Sequence, residues 1–344
     1  MSRWAVVLAG GIGSRFWPLS TPQRPKQLLP LVTDTPLLSD TLRRLRPVAT
    51  SDRTLILTNE SLRGAIAALA PELPAQNLIA EPRPAGTAAA LAWAAAEIER
   101  RDGPDAVMSC VHADWAIADA GAFVVALERA AQVAQQADAL VTVGIVPTRA
   151  DPGFGYIQPA ERVGEFARRV ARFAEKPDRA TARRMVDEGY LWNSGIFVWR
   201  VGYFLDQLRA HTPEVALALD KSGGDIDRFF SAVRPVSIDV GLLERSEAVL
   251  VIPGDFGWDD VGTWAALGRV RERDHAGNAA SGTVHALEAT RNVVHAEGNA
   301  VVLYGVSDLV VVTRDGLTLV TTVDRCADLK TLIESLPPDL RDRP

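Results

Sequence analysis

The segment WAVVLAGGIGSR, residues 4–15, gives the clearest indication of the fold. Its apolar half has no polar alternation, which is typical of a strand buried on both faces of a parallel sheet. Gly10, Gly11 and Gly13 follow the strand at once, and the cations Arg15 and Lys26 come soon after. Glycines placed directly after a buried strand let backbone N–H groups approach an anion. The segment therefore predicts a strand and an anion-binding loop, to which Arg15 adds a bidentate fork and Lys26 a point charge.

Two common glycine motifs do not fit this loop. A P-loop requires GxxxxGK[ST], and no lysine follows the glycines directly. A dinucleotide fingerprint requires GxGxxG, and its third glycine would fall on Phe16. A glycine-rich surface turn with solvated Arg15 and Lys26 stays open as the alternative to an anion site.

The sequence that follows repeats an order of short apolar runs and helical patterns. This order predicts an α/β fold, a Rossmann-like, doubly wound, mixed but mostly parallel sheet with right-handed crossovers. The predicted strands are Trp4–Ala9, Thr54–Thr58, Leu78–Ala80, Ala106–Val111 and Ala139–Val146. The predicted helices are Pro36–Leu45, Ser61–Leu69, Thr87–Arg100 and Ala122–Gln136.

The pattern is less regular over residues 151–265 and changes again after about residue 275. The irregular region predicts an insertion built on the same sheet, with strands near Arg168–Ala174 and Trp192–Arg200 and helices near Thr181–Glu188 and Tyr203–His211. The last region predicts a small all-β unit, either stacked β-helix coils or a short barrel. Its runs are Gly282–Leu287, Asn292–Ala296, Ala300–Leu303, Leu309–Thr313 and Leu317–Thr321. We expect a catalytic domain over 1–270 and a β-helix-like domain over 275–336.

Composition narrows the class of protein. The chain has 344 residues, a net charge of −6 and a pI near 5.5, which disfavours a dedicated nucleic-acid binder. Of the two cysteines, Cys110 lies in an apolar run and is expected in the core, and no Cys/His cluster suggests zinc. No signal peptide and no apolar run of membrane-spanning length are evident, so we expect a cytoplasmic protein without membrane contact.

Two acidic residues are candidates for ligand contacts. Glu81 follows a predicted strand, and Gly86 and Thr87 open the next helix, whose N–H groups favour an anion or a base edge. A carboxylate accepts two hydrogen bonds, and guanine offers N1–H and N2–H2 side by side. Asp114 lies just past another buried strand and offers the hard oxygen ligand that Mg²⁺ prefers. A solvated Glu81 and a helix-capping Asp114 are the structural alternatives.

The string AGGIGSRFWPLSTPQRPKQ, residues 9–27, resembles the signature of sugar-phosphate nucleotidyltransferases, most closely the mannose-1-phosphate guanylyltransferases. The resemblance implies the nucleotidyltransferase type A fold. It also implies that Gly10, Gly11, Gly13, Ser14 and Arg15 hold a nucleoside triphosphate, joined by Glu81, Gly86 and Thr87, and that Arg15 and Lys26 are catalytic.

A later string, residues 257–264 (GWDDVGTW), resembles the family's Trp-x-Asp-Val-Gly-Ser/Thr-Trp motif. The resemblance implies that Asp114 and Asp260 bind Mg²⁺. The register of the motif match favours Asp260, and Asp259 is the alternative ligand. The motif around Asp114 departs from the family, since His112 replaces a proline and Trp115 a histidine.

Three further strings resemble the family's sugar-phosphate site. They are GFGYI at 153–157, FAEKP at 173–177 and WNSGIF at 192–197. The resemblance implies that Gly155, Glu175 and Asn193 contact sugar hydroxyls and that Lys176 meets the sugar phosphate. A hexose needs carboxylate and amide groups to read its hydroxyl pattern, so the chemistry agrees.

The expected reaction transfers GMP from GTP to mannose 1-phosphate by Mg²⁺-dependent attack on the α-phosphate, giving GDP-mannose and pyrophosphate. It needs no covalent nucleophile, and the five scattered histidines have no triad motif around them. A nucleotidyltransferase for another nucleotide or hexose 1-phosphate, such as glucose 1-phosphate, and a non-catalytic nucleotide-sugar sensor remain alternatives. We also expect a homodimer, no nucleic-acid partner and no phosphomannose isomerase activity.

Overall fold

The computed structural model describes residues 2–11 and 14–341, with the side chain of Ser14 excluded. Gly13 therefore lies outside the described residues. Its strands are β1 Arg3–Leu8, β2 Thr54–Asn59, β3 Leu78–Glu81, β4 Val107–His112, β5 Ala116–Ile117, β6 Leu140–Ile145, β7 Tyr156–Val163, β8 Ala167–Ala174, β9 Leu191–Arg200, β10 Val249–Gly254, β11 Trp258–Asp259, β12 Ala279–Ser281, β13 Val284–Leu287, β14 Val293–Ala296, β15 Val301–Tyr304, β16 Leu309–Arg314 and β17 Leu317–Thr322. Its helices are α1 Leu37–Leu45, α2 Arg63–Leu69, α3 Thr87–Asp102, α4 Ala120–Gln136, α5 Arg179–Asp187, α6 Val201–His211, α7 Pro213–Ser222, α8 Ile226–Ala232, α9 Trp264–Val270, α10 Leu329–Ser335 and α11 Pro338–Arg341.

The chain forms two compact units, and the first is built on one mixed sheet. This unit comprises residues 1–10, 42–113 and 119–258. The strand order of the sheet is β3-β2-β1-β4-β9-β6-β10-β8-β7, with an additional pairing of β7 with β9. Strands β3, β2, β1 and β4 run parallel, as do β6 and β10. β9 runs antiparallel to both β4 and β6. The predicted α/β fold with a mixed sheet is present, but the sheet is not mostly parallel. β8 pairs antiparallel with β7 and β10, and β9 pairs antiparallel with β4, β6 and β7. These strands come from the irregular region, where the short turn 164–166 joins β7 to β8 without the crossover helix that parallel pairing needs.

Helix α3 shows why the core of this unit packs closely. It is rich in alanine, and Ala88 to Ala92 are all buried within the core cluster. Small side chains let a helix approach its neighbours closely, which suits the interior packing density of proteins. The core also encloses Cys110, as predicted, and a stack of Trp199 on Phe204 with ring centroids 4.5 Å apart.

The second unit comprises residues 11–41, 114–118 and 259–344. Its core joins Phe16, Leu29 and Trp264 to apolar residues of the C-terminal strands. Trp264 packs edge-on against Phe16 at 5.0 Å and donates its indole N–H to the carbonyl of Trp17 at 3.1 Å. The segment that follows the glycine loop is therefore fixed by burial within this unit.

The C-terminal strands pair largely in parallel. β12, β14 and β16 run parallel in one sheet, with β17 antiparallel to β16. β13 pairs in parallel with β15 in a second sheet. The predicted β-runs are present, but the region is not all-β because α10 and α11 follow β17. An apolar stripe on a short helix after a strand-rich region carries too little periodic signal to be read from sequence.

Candidate active site

Three predicted residues of the second unit meet in a group that we call the lysine cluster: Lys26, Asp114 and Asp260. Lys26 lies in a short 3-10 turn, Lys26–Leu28, and is only 6% exposed. Its Nζ donates to Asp114 Oδ2 at 3.0 Å and to the carbonyl oxygen of Asp260 at 2.5 Å. A buried ammonium is costly unless it is paired and hydrogen-bonded. These two contacts offset the cost of burial and fix the position of the Lys26 ammonium.

The backbone around Asp260 is strained. Val261 is fully buried and has φ 48°, a left-handed conformation that β-branched residues rarely adopt. Gly262 donates its N–H to Asp260 Oδ1 at 3.1 Å, and a Cβ at Gly262 would lie 2.5 Å from Asp260 Oδ2. Strain of this kind persists only where the surrounding structure enforces it, and it often marks functional sites. Here it turns the Asp260 carboxylate back over the glycine.

The two carboxylates of the lysine cluster affect each other electrostatically. Burial raises the pKa of Asp260, the charge of Lys26 lowers it, and the charges of Asp259 and Asp114 raise it further. The Asp114 side chain is one-third exposed, at 33%. Asp114 is not the cap of the following helix, because Asp119 accepts the capping hydrogen bond from Ala122 N at 2.8 Å.

Asp259, the alternative metal ligand, is held by an arginine. Its two carboxylate oxygens accept from Arg269 Nε at 2.9 Å and from Arg269 Nη2 at 3.1 Å. A bidentate pair of this kind fixes the carboxylate geometry. The contact gives Asp259 a structural role. Each carboxylate also accepts from a backbone N–H, Asp259 Oδ1 from Val261 at 3.0 Å and Asp260 Oδ1 from Gly262 at 3.1 Å. The arginine contact therefore distinguishes Asp259 from Asp260.

The glycine loop is described only in part. Gly10 and Gly11 are exposed, and a Cβ on either would meet nothing within 4 Å. The carbonyl of Gly11 accepts from Gln27 Nε2 at 2.9 Å, so the loop is tied to the residue after Lys26. Arg15 is exposed on the 3-10 turn Ser14–Phe16. The predicted contacts of Gly13 and of the Ser14 side chain lie outside the described residues.

A second group, in the first unit, contains three predicted sugar residues. Asn193, near the start of β9, donates its backbone N–H to the carbonyl of Gly155 at 2.8 Å. A Cβ at Gly155 would lie 2.8 Å from Glu175 Oε2 and 3.4 Å from Asn193 Cβ. The structure therefore brings Gly155, Glu175 and Asn193 together. The absence of a side chain at Gly155 keeps the Glu175 carboxylate close to the asparagine.

Lys176 lies beside this group but is held loosely. Its Nζ lies 2.9 Å from Glu175 Oε1, and the two side chains are 65% and 55% exposed. An ion pair this exposed contributes little to stability. The lysine can turn toward another anion at little cost, and its φ of 42° places it in a tight turn after β8.

One residue of this group, Asp239, was missed by sequence reasoning. Its Oδ1 accepts from Asn193 Nδ2 at 2.7 Å. Burial raises the pKa of Asp239 above its ordinary value and the charge of Glu175 adds to the rise, while Asn193 and the charge of His112 lower it. We call Gly155, Glu175, Asn193 and Asp239 the amide cluster. A lone aspartate between Ile238 and Val240 carries no sequence pattern that distinguishes it from a solvated acid.

Glu81 and the start of α3 form a third feature, also in the first unit. Burial raises the pKa of Glu81 to about 7, so it is not a freely solvated turn acid. Gly86 has φ 82°, and a Cβ there would lie 2.3 Å from the carbonyl oxygen of Val236. Thr87 Oγ1 accepts from Ile238 N at 2.9 Å. Gly86 and Thr87 therefore anchor the segment 236–238. This role is structural, and it is independent of their predicted contact with a nucleotide.

The part of the chain that the structure describes was also compared with the requirements of a metal cluster and of a membrane-spanning helix. Within residues 2–11 and 14–341, no three His, Cys, Asp or Glu side chains are grouped as a metal site. Among the same residues, no helix has the length and apolar character needed to cross a membrane.

Comparison with known proteins identifies relatives that are similar to this chain over nearly its whole length. The chain is 35% identical over 350 residues to the mannose-1-phosphate guanylyltransferase RfbM of Salmonella typhimurium, covering 98% of this chain and 73% of the relative. It is 36% identical to a mannose-1-phosphate guanylyltransferase of Escherichia coli, covering 98% of this chain and 74% of the relative. A Thermus thermophilus crystal structure, described as a mannose-1-phosphate geranyltransferase, superposes with a TM-score of 0.90 at 33% identity, covering 97% of this chain and 99% of that one.

The family itself is shown by a match to the nucleotidyl transferase model. That match spans residues 4–277, which include the glycine loop, both carboxylates of the lysine cluster and the whole amide cluster. The chain is a member of the nucleotidyl transferase family.

Proposed function

We propose that this protein transfers GMP from GTP to mannose 1-phosphate, releasing GDP-mannose and pyrophosphate. The observation that carries the proposal is the buried Lys26 Nζ, held between the Asp114 carboxylate and the Asp260 backbone. The names of the relatives that align with 98% of this chain supply the substrates. The structure and the alignment thus support one chemistry from two directions.

The chemistry is an in-line displacement at the α-phosphorus of GTP. A sugar 1-phosphate oxygen is already a competent nucleophile, so the protein needs to position two anions and neutralise their charge. Lys26 supplies a fixed cation, and the exposed guanidinium of Arg15 supplies a mobile one with bidentate geometry. Pyrophosphate leaves opposite the attacking oxygen.

A divalent cation fits the lysine cluster. Asp114 and Asp260 raise the electrostatic cost of each other's charge, which a bound cation would relieve. Mg²⁺ binds through one or two carboxylates and completes its shell with water and substrate phosphate oxygens. When bound, it would neutralise charge that develops on the phosphates. We assign its protein ligands to Asp114 and Asp260.

The amide cluster is assigned to the sugar. Glu175 and Asn193 offer an acceptor and a mixed donor–acceptor to the hydroxyls, and the Gly155 backbone lies beside them. The exposed Lys176 is assigned to the phosphate of mannose 1-phosphate. Glu81 is assigned to guanine N1–H and N2–H2, with the start of α3 at Gly86 and Thr87 beside the nucleotide.

The test is pyrophosphate release from each pairing of GTP, ATP, UTP and dTTP with mannose 1-phosphate or glucose 1-phosphate. The reaction is run with and without Mg²⁺. We expect turnover to be highest with GTP and mannose 1-phosphate and to require the metal. Preference for another pair would replace the proposed substrates, and nucleotide-sugar binding without any turnover would favour a sensor.

We also infer that the C-terminal strands form a β-helix-like domain over 275–336, that it shares an apolar core with residues 11–41 of the catalytic domain over 1–270, and that the protein is a homodimer. The parallel registers of β12, β14 and β16 support stacked coils. Sedimentation equilibrium of the full chain tests the assembly. A mass near 37.1 kDa, that of one chain, would contradict the dimer.

A further inference from the structure

The amide of Asn193 is held on both sides, which fixes its orientation. Its Nδ2 donates to Asp239 Oδ1 at 2.7 Å, and its Oδ1 accepts from the backbone N–H of Gly195 at 3.3 Å. An asparagine amide carries two N–H donors and an oxygen with two lone pairs. One donor and one lone pair therefore remain for a ligand. Without Asp239 the amide could turn over, and donor and acceptor would exchange places.

Asp239 is itself placed by a short, well-anchored segment. Val236 N donates to the carbonyl of Ala85 at 3.3 Å, and the carbonyl of Val236 accepts from Ala88 N at 3.2 Å. Ile238 N donates to Thr87 Oγ1 at 2.9 Å. Three hydrogen bonds over three residues leave the backbone before Asp239 little freedom, so its carboxylate has a defined position relative to β9.

The surroundings of Asp239 suit a carboxylate that accepts hydrogen bonds from hydroxyl groups. The residue is partly buried, and its carboxylate lies close enough to Glu175 for the charge of that residue to raise the Asp239 pKa. Two carboxylates beside one oriented amide offer several acceptors and one donor. Sugar hydroxyls need acceptors for their protons, and two epimers differ in where a single O–H bond points.

We propose that Asp239 is a specificity-determining residue of the sugar site, whose Oδ1 orients the Asn193 amide and whose Oδ2 accepts a hydrogen bond from a hydroxyl of the hexose. The inference rests on the proposed function, because it assigns the amide cluster to the sugar of a hexose 1-phosphate. A fixed acceptor rejects an epimer whose hydroxyl is absent from that position, since the acceptor is then left without a partner.

The test compares Asp239→Asn with the matched control Asp206→Asn. The Asp239→Asn substitution keeps the contact with Asn193, because the new amide oxygen still accepts, but it replaces the acceptor at the Oδ2 position with a donor. Asp206 lies on α6, its side chain is 72% exposed, and it pairs with Arg209 one turn further along the same helix. Steady-state kinetics on the full chain give kcat and KM for mannose 1-phosphate, glucose 1-phosphate and GTP.

For Asp239→Asn we expect the KM for mannose 1-phosphate to rise about tenfold or more. We expect the KM for GTP to stay unchanged and the preference for mannose 1-phosphate over glucose 1-phosphate to fall by a similar factor. Asp206→Asn should behave as the unaltered protein. An unchanged preference, or an equal loss for both sugars and GTP, would overturn the proposal because it would indicate only a structural role.

Calorimetric titration of mannose 1-phosphate and glucose 1-phosphate separates this inference from the proposed function. If the unaltered protein shows no turnover with any substrate pair, the proposed function fails. Titration then still tests Asp239, since its loss should reduce the affinity for mannose 1-phosphate selectively. Equal affinities of the unaltered protein and Asp239→Asn for both sugars would overturn the inference by itself.

Discussion

The lysine cluster and the amide cluster solve two different recognition problems. The lysine cluster places one buried cation between a carboxylate and a strained backbone turn. The amide cluster contains no buried cation and orients a neutral amide between a carboxylate and a backbone N–H. Phosphates require charge at a fixed point, whereas hydroxyls require donors and acceptors at fixed directions.

The difference predicts how each cluster responds to substitution. Loss of a charge that acts on the reacting phosphates should reduce kcat. Loss of a directional hydrogen bond to the sugar should change KM and sugar preference. Substitutions in each cluster test that division.

The largest effect is expected for Lys26→Ala. Removing the buried ammonium takes away a contact to the transition state and leaves Asp114 and Asp260 without their shared cation. We expect kcat to fall at least about a hundredfold. Lys221→Ala, on the exposed face of α7, is the matched control. Turnover within a few-fold of normal, in a variant whose circular dichroism is unchanged, would remove Lys26 from the catalytic assignment.

A pair of neighbouring substitutions separates metal binding from structure. Asp260→Asn should raise the Mg²⁺ concentration for half-maximal rate by about tenfold or more, because a carboxylate ligand becomes a neutral amide. Asp259→Asn should instead lower the free energy of unfolding by about 1–3 kcal/mol, because the bidentate contact with Arg269 is weakened.

Magnesium titration of the rate and urea unfolding of both variants distinguish the two outcomes. If Asp259→Asn shifted the Mg²⁺ dependence and Asp260→Asn did not, the assignment of the two aspartates would be reversed.

The two clusters also differ in how far the sequence reveals them. Lys26 and Asp260 lie in strings that resemble a family, and the strand-before-glycine pattern predicts a strand that ends just before Gly10, in agreement with β1. The left-handed Val261 and the arginine that holds Asp259 depend on backbone conformation and tertiary contact, which residue spacing does not specify. The contact of Asp239 is harder to predict than those of Lys26 and Asp260, because Asp239 lies 46 residues from Asn193 in the sequence.

The same limit applies to the fold. Strands that are buried along almost their whole length, such as β1 and β6, are predicted nearly to the residue. β7 is exposed or partly exposed over most of its length, and its pairing with both β8 and β9 is determined only in the folded chain. Tertiary pairing decides such strands, and local pattern does not.

A smaller effect is expected for Glu175→Gln in the amide cluster. The substitution keeps the shape and the proximity to Gly155 but removes the negative charge that accepts from a sugar hydroxyl. We expect the KM for mannose 1-phosphate to rise about tenfold, with the KM for GTP unchanged. Glu165→Gln, at the exposed turn between β7 and β8, is the control. A matching rise in the KM for GTP would show that the amide cluster is not specific to the sugar.

The smallest effect is a pH dependence that involves Glu81. With a pKa near 7, this carboxyl is largely protonated at pH 6 and largely ionised at pH 8. Only the ionised form accepts both N–H groups of guanine, so GTP affinity of the free enzyme should rise about tenfold over that range. In Glu81→Gln, the rise in GTP affinity that the ionisation of Glu81 causes should disappear. Any pH dependence caused by titration of the GTP phosphates should remain in both proteins. Parallel pH profiles would contradict the contact with guanine.

Stability should respond to the same group with the opposite sign. Because folding raises the pKa of Glu81 from 4.5 to about 7, the folded state binds more protons than the unfolded state between these values. The free energy of unfolding of the unaltered protein, relative to Glu81→Gln, should therefore decrease as pH rises from 4.5 through 7 and then level off. Urea unfolding across this range measures it. If stability falls as the carboxyl ionises and GTP affinity rises over the same pH interval, then burial disfavours the ionised form of Glu81 in the free protein. Hydrogen bonds from guanine would offset that cost in the complex.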